Sequence, residues 1–260
     1  MDVLLWFACD VAEVAVIGLL LYRRLWRTFP LFLSYICWAL ISNVGGYVVL
    51  RIDNASYATA YLVVVIVDSI LLFGVLVELA WSILRPVRAS LSRRALVPVV
   101  GLILIVAVVV WPLAAVPGLA GASVEARMIA HLQQTISILQ VVFFLALIAG
   151  SQLLSIGWRD RELQLATGLG FFSFVSIAAA VLHMHQTSYL QYRHVFQIEI
   201  GAYTCSLIYW VVSLSQKEAE RRAFTPKMQS MLLAVAGAAR STRVALEDSR
   251  TGKPLKQNKR

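Results

Sequence analysis

Long apolar runs separated by short polar breaks fill residues 1–216 of the chain. Each run has about 20 residues or more, enough for an α-helix to cross a hydrocarbon core about 30 Å thick. Because a span in lipid must satisfy its own backbone hydrogen bonds, each run is predicted to be helical. The runs cover residues 3–22, 30–50, 58–84, 95–115, 128–152, 163–184 and 195–215. The pattern predicts an all-α, polytopic integral membrane protein with a seven-transmembrane-helix bundle.

The composition agrees with a membrane domain and leaves no room for a large soluble one. Hydrophobic residues make up 60% of the 260 residues and charged residues 14%, against about 25% charged in soluble domains. No basic segment precedes the first run, so we expect a retained first span rather than a cleaved signal peptide. All three cysteines lie in apolar runs without zinc-binding spacing and are predicted to be small core residues.

Lysine and arginine are distributed unevenly between the two sides of the predicted bundle. All but three of the 23 fall in the breaks after spans 1, 3 and 5 or in the segment after residue 216. The opposite side holds Arg51, Arg127 and Arg193. Since positive charge stays cytoplasmic, we expect the N-terminus outside, the C-terminus inside and a multi-pass protein of the plasma (inner) membrane. The same uneven distribution argues against nucleic acid as the partner of this basic chain.

Several polar residues interrupt the apolar runs, and they concentrate in the predicted outer half. No lysine or arginine lies inside a span, so the intramembrane carboxyls have no basic partner there. We predict a polar outer cavity between spans 1, 3, 5, 6 and 7 that binds a small ligand or ion. Its residues are Asp10, Glu13, Asp68, Gln133, Ser137, Gln140, His183, Glu199 and Tyr203. The alternative is that these groups only hydrogen-bond between helices.

Glu78 differs from the other acids because it lies near the predicted inner end of span 3. Trp81 follows it closely and Arg85 lies two turns on. We expect its carboxylate to reach the membrane interface rather than a buried site.

The four histidines lie at the predicted outer boundary of the bundle. They are His131, His183, His185 and His194. A copper site there is a weaker hypothesis, because His183 and His185 are two residues apart and point away from each other on a helix. Haem would need a histidine deep inside a span, and span 7 has no lysine for covalent retinal. The chain also lacks the HxxxH pair of intramembrane zinc hydrolases, so no cofactor is predicted.

Residues 217–260 are predicted to form a basic cytoplasmic tail with an amphipathic helix at about 226–247. Lys227, Arg240 and Arg243 are expected to contact anionic inner-leaflet lipids or a cytoplasmic protein partner. The alternative is a basic tail that only fixes the topology. The segment is too short for a kinase, cyclase or DNA-binding domain.

The start of span 2, "RTFPLFLSY" from Arg27 to Tyr35, resembles that of a group of small uncharacterised bacterial seven-helix proteins. They begin this span with an Arg-x-Phe-Pro-x-Phe-x-x-Tyr-like motif. The resemblance covers the membrane region, and it implies fold and topology but no activity.

The functional prediction is a non-enzymatic membrane protein of sensing or scaffold type. It would bind a small ligand or ion in the outer cavity and a partner or anionic lipid through its tail. The alternative is a small transporter, or a subunit of one, whose intramembrane carboxylates carry protons or cations. The third hypothesis is an intramembrane metal-dependent enzyme. The sequence specifies neither the ligand, the partner nor the oligomeric state.

Overall fold

The computed structural model describes residues 2–52, 57–83, 96–114, 124–150, 160–183 and 189–216. Within these ranges the chain forms seven α-helices and no strand, which confirms the all-α prediction for the described residues. The helices are α1 (Asp2–Tyr22), α2 (Pro30–Ile52), α3 (Tyr57–Ile83), α4 (Leu96–Val110), α5 (Val124–Gly150), α6 (Arg161–His183) and α7 (Tyr189–Ser215). Short 3-10 turns at Leu25–Arg27 and Trp111–Ala114 follow α1 and α4.

Five of these helices are long and apolar enough to cross a membrane. The qualifying stretches are Leu5–Tyr22, Thr59–Ile83, Arg127–Ala149, Arg161–Leu182 and His194–Ser215. The remaining two helices carry shorter apolar stretches, Pro30–Gly46 and Val100–Ala114. The structure is therefore that of a membrane-embedded helical protein, with five spans supported by length and composition.

Six helices form a closed ring, and α4 lies outside it. Around the ring the order is α1, α2, α3, α5, α6 and α7, with α7 packed against α1. The fourth helix packs on the outside of α3 and α5. Its Ile103 shares a small apolar cluster with Leu76 of α3 and Leu139 of α5. Any interior space of the ring is therefore bounded without α4.

Contacts along the helices give their relative directions. Between α1 and α7, Glu13 meets Tyr203 and Arg23 meets Ser215, so the two helices run parallel. Between α6 and α7, Arg161 meets Ser213 and Ser176 meets Glu199, so these two run antiparallel. We call the end where α1, α3, α5 and α7 begin the cavity end, and the opposite end the packed end.

Large apolar side chains fill the packed end. Trp210 is fully buried and meets the ring of Phe32 edge-on, with 5.0 Å between ring centroids and 87° between planes. The backbone of α6 passes so close to Trp210 that a Cβ on Gly168 would overlap the indole. A Cβ on Gly170 would lie 2.6 Å from Cγ of Phe144. Glycine at these two positions lets α6 approach α5 and α7 closely.

Glu78 is half-buried at the packed end and caps the start of α2. Its two carboxylate oxygens accept hydrogen bonds from the backbone N–H groups of Leu31 and Phe32, each at 2.9 Å. A helix start leaves such N–H groups without partners, and Phe29 at the N-cap position has no polar side chain to supply one. Glu78 of α3 therefore caps α2, and its position at the membrane interface stays a prediction.

The beginning of α6 holds the end of α7 in a similar way. The buried Arg161 guanidinium donates to the carbonyl oxygens of Ser213 at 2.6 Å and Gln216 at 2.5 Å. Arg23 donates to the carbonyl oxygen of Ser215. These carbonyls lie at a helix C-terminus, where they lack partners within the helix. Arg161 at the start of α6 and Arg23 in the turn after α1 thus cap α7.

Candidate ligand-binding site

A cavity of about 870 Å³ lies between the six ring helices, in the half of the bundle toward the cavity end. Its volume is within the range of about 300–1,000 Å³ typical of small-molecule sites. The predicted residues that line it are Asp10, Glu13, Asp68, Gln133, Ser137, Gln140, Glu199 and Tyr203. The side chain of His183 lies outside the part of the structure that is described. Whether these residues bind a ligand stays a prediction.

The second helix also lines the cavity, which the sequence reasoning did not predict. It contributes Tyr35, Ala39, Ser42 and Asn43. A polar amide within an apolar run was the available signal, since such residues usually face other helices. Asn43 does so here, because its side-chain amide donates to Oε1 of Glu13 at 3.2 Å.

On every ring helix, the lining residue nearest the packed end marks the floor of the cavity. These floor residues are Glu13, Tyr35, Leu72, Gln140, Phe172 and Tyr203. The hydroxyl of Tyr203 donates to Oε1 of Glu13 at 3.0 Å. The ring of Phe172 lies 5.3 Å from that of Tyr203. The floor is thus a layer of large side chains organised around one carboxylate.

Glu13 is completely buried, and its two oxygens have different surroundings. Oε1 accepts hydrogen bonds from Asn43 and Tyr203, whereas Oε2 has no hydrogen-bond partner among the residues that the structure describes. Asp10 and Asp68 are both close enough to act on Glu13 electrostatically. Because a buried acceptor without a partner is costly, Glu13 offers an unused binding position beside the cavity.

Asp68 lines the cavity from α3. The indole of Trp38 lies close to its carboxyl group. Nε1 of Trp38 and Oδ1 of Asp68 are both buried, and neither has a hydrogen-bond partner among the described residues. The structure therefore places a second carboxyl oxygen with unused acceptor capacity in the wall.

The wall formed by α5, α6 and α7 is held together by hydrogen bonds between side chains. Ser173 donates to Oε1 of Gln140, and Nε2 of Gln140 has no hydrogen-bond partner. Ser176 donates to Glu199 at 2.7 Å. These bonds link helices, so the interhelical role considered for the serines and glutamines is present together with the cavity.

The lining of the cavity is both acidic and aromatic. Four carboxyl groups line it, and no lysine, arginine or histidine is among its described lining residues. Aromatic side chains occupy much of the remaining wall: Trp6, Tyr35, Tyr61, Phe172, Phe196 and Tyr203. Tyr61 accepts a hydrogen bond from Gln133 at 3.1 Å, which fixes one edge of this wall. The arrangement combines negative charge with aromatic faces.

The two histidines whose side chains the structure describes, His131 and His194, do not form a common cluster. His131 faces the 3-10 turn after α4: its ring stacks on Trp111 at 4.4 Å, and Nε2 donates to the Trp111 carbonyl oxygen at 2.7 Å. His194 is exposed, while His185 and the side chain of His183 lie outside the described residues. In the described ranges, no three His, Cys, Asp or Glu side chains are grouped to hold a metal. The four-histidine metal site stays a prediction.

The predicted tail contacts at Lys227, Arg240 and Arg243 also lie outside the described residues, as does all of 217–260. Comparison with protein-family models, characterised proteins and solved structures finds no match to this chain. The resemblance based on Arg27–Tyr35 therefore stays a prediction, and function must be argued from the cavity itself.

Proposed function

We propose that the protein is a seven-span plasma-membrane protein of sensing type that binds a small ligand in its acidic cavity. The N-terminus and the cavity end would face outward, and the C-terminus would be cytoplasmic. The distribution of arginine and lysine supports this direction, as only Arg51, Arg127 and Arg193 lie on the other side. The ring supports the count of seven, because α4 must bring the chain back before α5 begins.

The observation that carries the proposal is a ligand-sized cavity bounded by all six ring helices, with unused polar atoms at its wall. Well-packed membrane bundles place polar side chains against each other. Here the floor instead leaves Oε2 of Glu13 and Nε2 of Gln140 without partners. A bound molecule would supply partners for both.

Helix α7 connects the cavity to the predicted tail. It carries Glu199 and Tyr203 in the cavity wall and ends at Ser215, just before the predicted tail begins. Arg161 and Arg23 hold that end in place. A ligand that shifts α7 would therefore act on the tail, which would contact a protein partner or anionic lipid.

Native mass spectrometry of the full chain, extracted gently from its membrane, tests ligand binding. We expect a small molecule to co-purify with the wild type and to be absent from Ala39→Phe, which fills the cavity. Ala146→Phe is the matched control, because Ala146 is exposed on the outside of α5. Equal ligand retention in both variants would overturn the cavity as the binding site.

Reporter fusions test the orientation. A fusion after Gln216 should be active only as a cytoplasmic reporter, whereas a fusion ahead of α1 should report from outside. The reverse pattern would invert the cavity and remove an external ligand from consideration.

A transporter remains the second candidate, and the intramembrane carboxyls Asp10, Glu13 and Asp68 favour it. Transport requires access to the cavity from both sides, and the packed end here is filled by Trp210, Phe32 and their neighbours. Asp68→Asn in a proteoliposome flux assay should abolish uptake if the carboxylate carries the coupled cation. Unchanged flux would exclude that role.

A further inference from the structure

We propose that the cavity ligand is a small organic cation, a protonated amine attached to an apolar or aromatic body. This inference rests on the proposed function and specifies the chemical class of its ligand.

The lining of the cavity is acidic. Asp10, Glu13, Asp68 and Glu199 reach the cavity from three helices, and the described lining has no basic side chain. Buried carboxylates without cationic partners are costly inside a membrane protein and in general mark sites that bind a cation or a proton. An anionic ligand would meet like charge on three sides, so the electrostatics select against it.

The floor of the cavity holds one carboxylate oxygen that is fixed in place and accepts no hydrogen bond. Glu13 is fully buried, its Oε1 already accepts two hydrogen bonds, and its Oε2 accepts none. Asn43 and Tyr203 fix the side chain, so the free oxygen is preorganised rather than mobile. An ammonium N–H donor is the partner that such an oxygen accepts most strongly, as a charge-assisted hydrogen bond.

The arrangement of the carboxyl groups fits an organic cation better than a metal ion. Described carboxyl, histidine and cysteine side chains are not grouped in threes as a metal site needs. The carboxyls are instead spread over a cavity of about 870 Å³ whose wall includes Trp6, Tyr61 and Phe172. Aromatic faces attract organic cations by cation–π interaction and also accommodate an apolar body. The size of the cavity, the separation of its carboxyl groups and its aromatic wall together fit an organic amine better than a metal ion.

Three matched probes test the proposal: 2-phenylethylamine, its neutral analogue 2-phenylethanol and the anion 3-phenylpropanoate. Binding is measured by calorimetry on the full chain in lipid nanodiscs at neutral pH, with empty nanodiscs as the partition reference. We expect the amine to bind about tenfold or more tightly than the alcohol, the advantage of one charge-assisted bond. The anion should not bind measurably.

Glu13→Gln keeps Oε1 for Asn43 and Tyr203 but removes the charge, and it should abolish the preference for the amine over the alcohol. Glu78→Gln is the control: Glu78 is a carboxylate outside the cavity, so this variant should keep the preference.

Equal affinity of amine and alcohol, tightest binding of the anion, or no amine binding at all would each overturn the organic-cation inference. A molecule retained in wild type but lost in Ala39→Phe would still support the proposed function. Failure of both experiments would remove the function as well.

Discussion

The two ends of the bundle both place a glutamate between helices, but Glu78 and Glu13 have different partners. At the packed end, both carboxylate oxygens of Glu78 accept hydrogen bonds from backbone N–H groups of α2. At the cavity end, Glu13 and Asp68 each keep an oxygen without a hydrogen-bond partner. Glu78 therefore completes the start of a helix with both oxygens, whereas Glu13 keeps one oxygen available for a ligand. The comparison separates carboxyls that hold the fold from carboxyls available for a ligand.

The largest expected effect is at the packed end, in the contact between α6 and α7. Gly168→Ala puts a methyl group into the indole of Trp210 and should cost about 3 kcal/mol of stability. Gly18→Ala has open space around it and should change stability by less than about 1 kcal/mol. Thermal unfolding in detergent measures both. Trp210→Phe added to Gly168→Ala should recover part of the loss; no recovery would show that the contact is not the cause.

The next largest effect is expected from Glu→Gln substitutions, which compare Glu78 with Glu13. Glu78→Gln replaces an accepting oxygen with an amide that cannot accept, so one N–H of α2 loses its partner, at a cost of about 2 kcal/mol. Glu13→Gln retains Oε1 and should cost less than about 1 kcal/mol. Unfolding midpoints of the two variants in the same detergent give the difference. Equal losses would break the distinction between the two ends.

A smaller loss is expected from the arginine that caps α7. Arg161→Lys keeps the charge but not the planar guanidinium that reaches Ser213 and Gln216, and should cost about 1.5 kcal/mol. Arg24→Lys, on the exposed turn after α1, should stay within about 0.5 kcal/mol. Hydrogen exchange at the last turn of α7 should rise only in the first variant. Faster exchange in both would show that the effect does not come from the contacts of Arg161 with Ser213 and Gln216.

The smallest effect belongs to His131 at the cavity end. His131→Phe keeps an aromatic ring against Trp111 and loses one hydrogen bond, at a cost of about 1 kcal/mol or less. It should leave amine binding unchanged, because the imidazole faces the turn after α4. Elemental analysis of wild type and variant is the accompanying measurement. A metal that is stoichiometric in wild type and lost in His131→Phe would restore the histidine site.

Hydropathy alone predicted where the helices lie, because each membrane helix is a local property of its own residues. Span 2 begins at Pro30 as predicted, and α7 begins at Tyr189, six residues before the predicted start of span 7. Within the described residues, five helices meet the length and hydropathy expected for spans, so the predicted count of seven is not confirmed. The seven-span topology stays a proposal.

The cavity residues were partly predictable for the same reason. A polar side chain in an apolar run favours an interior position, and this pattern alone groups Asp10 with Asp68 and Glu199. The rotation of one helix against another is not a local property. This is why the contribution of α2 through Asn43 was missed, and why the bonds from Glu78 to the start of α2 were not predicted.

The position of α4 outside the ring determines the direction in which the following helices run. The 3-10 turn after α4 meets His131 near the start of α5, so α4 returns the chain to the end where α3 began. That return path lets α3 and α5 stand side by side in the same direction. Without α4, α5 would have to begin at the packed end, so α5, α6 and α7 could not keep their present directions beside α3 and α1. The helix outside the ring therefore sets the direction of the three helices that follow it.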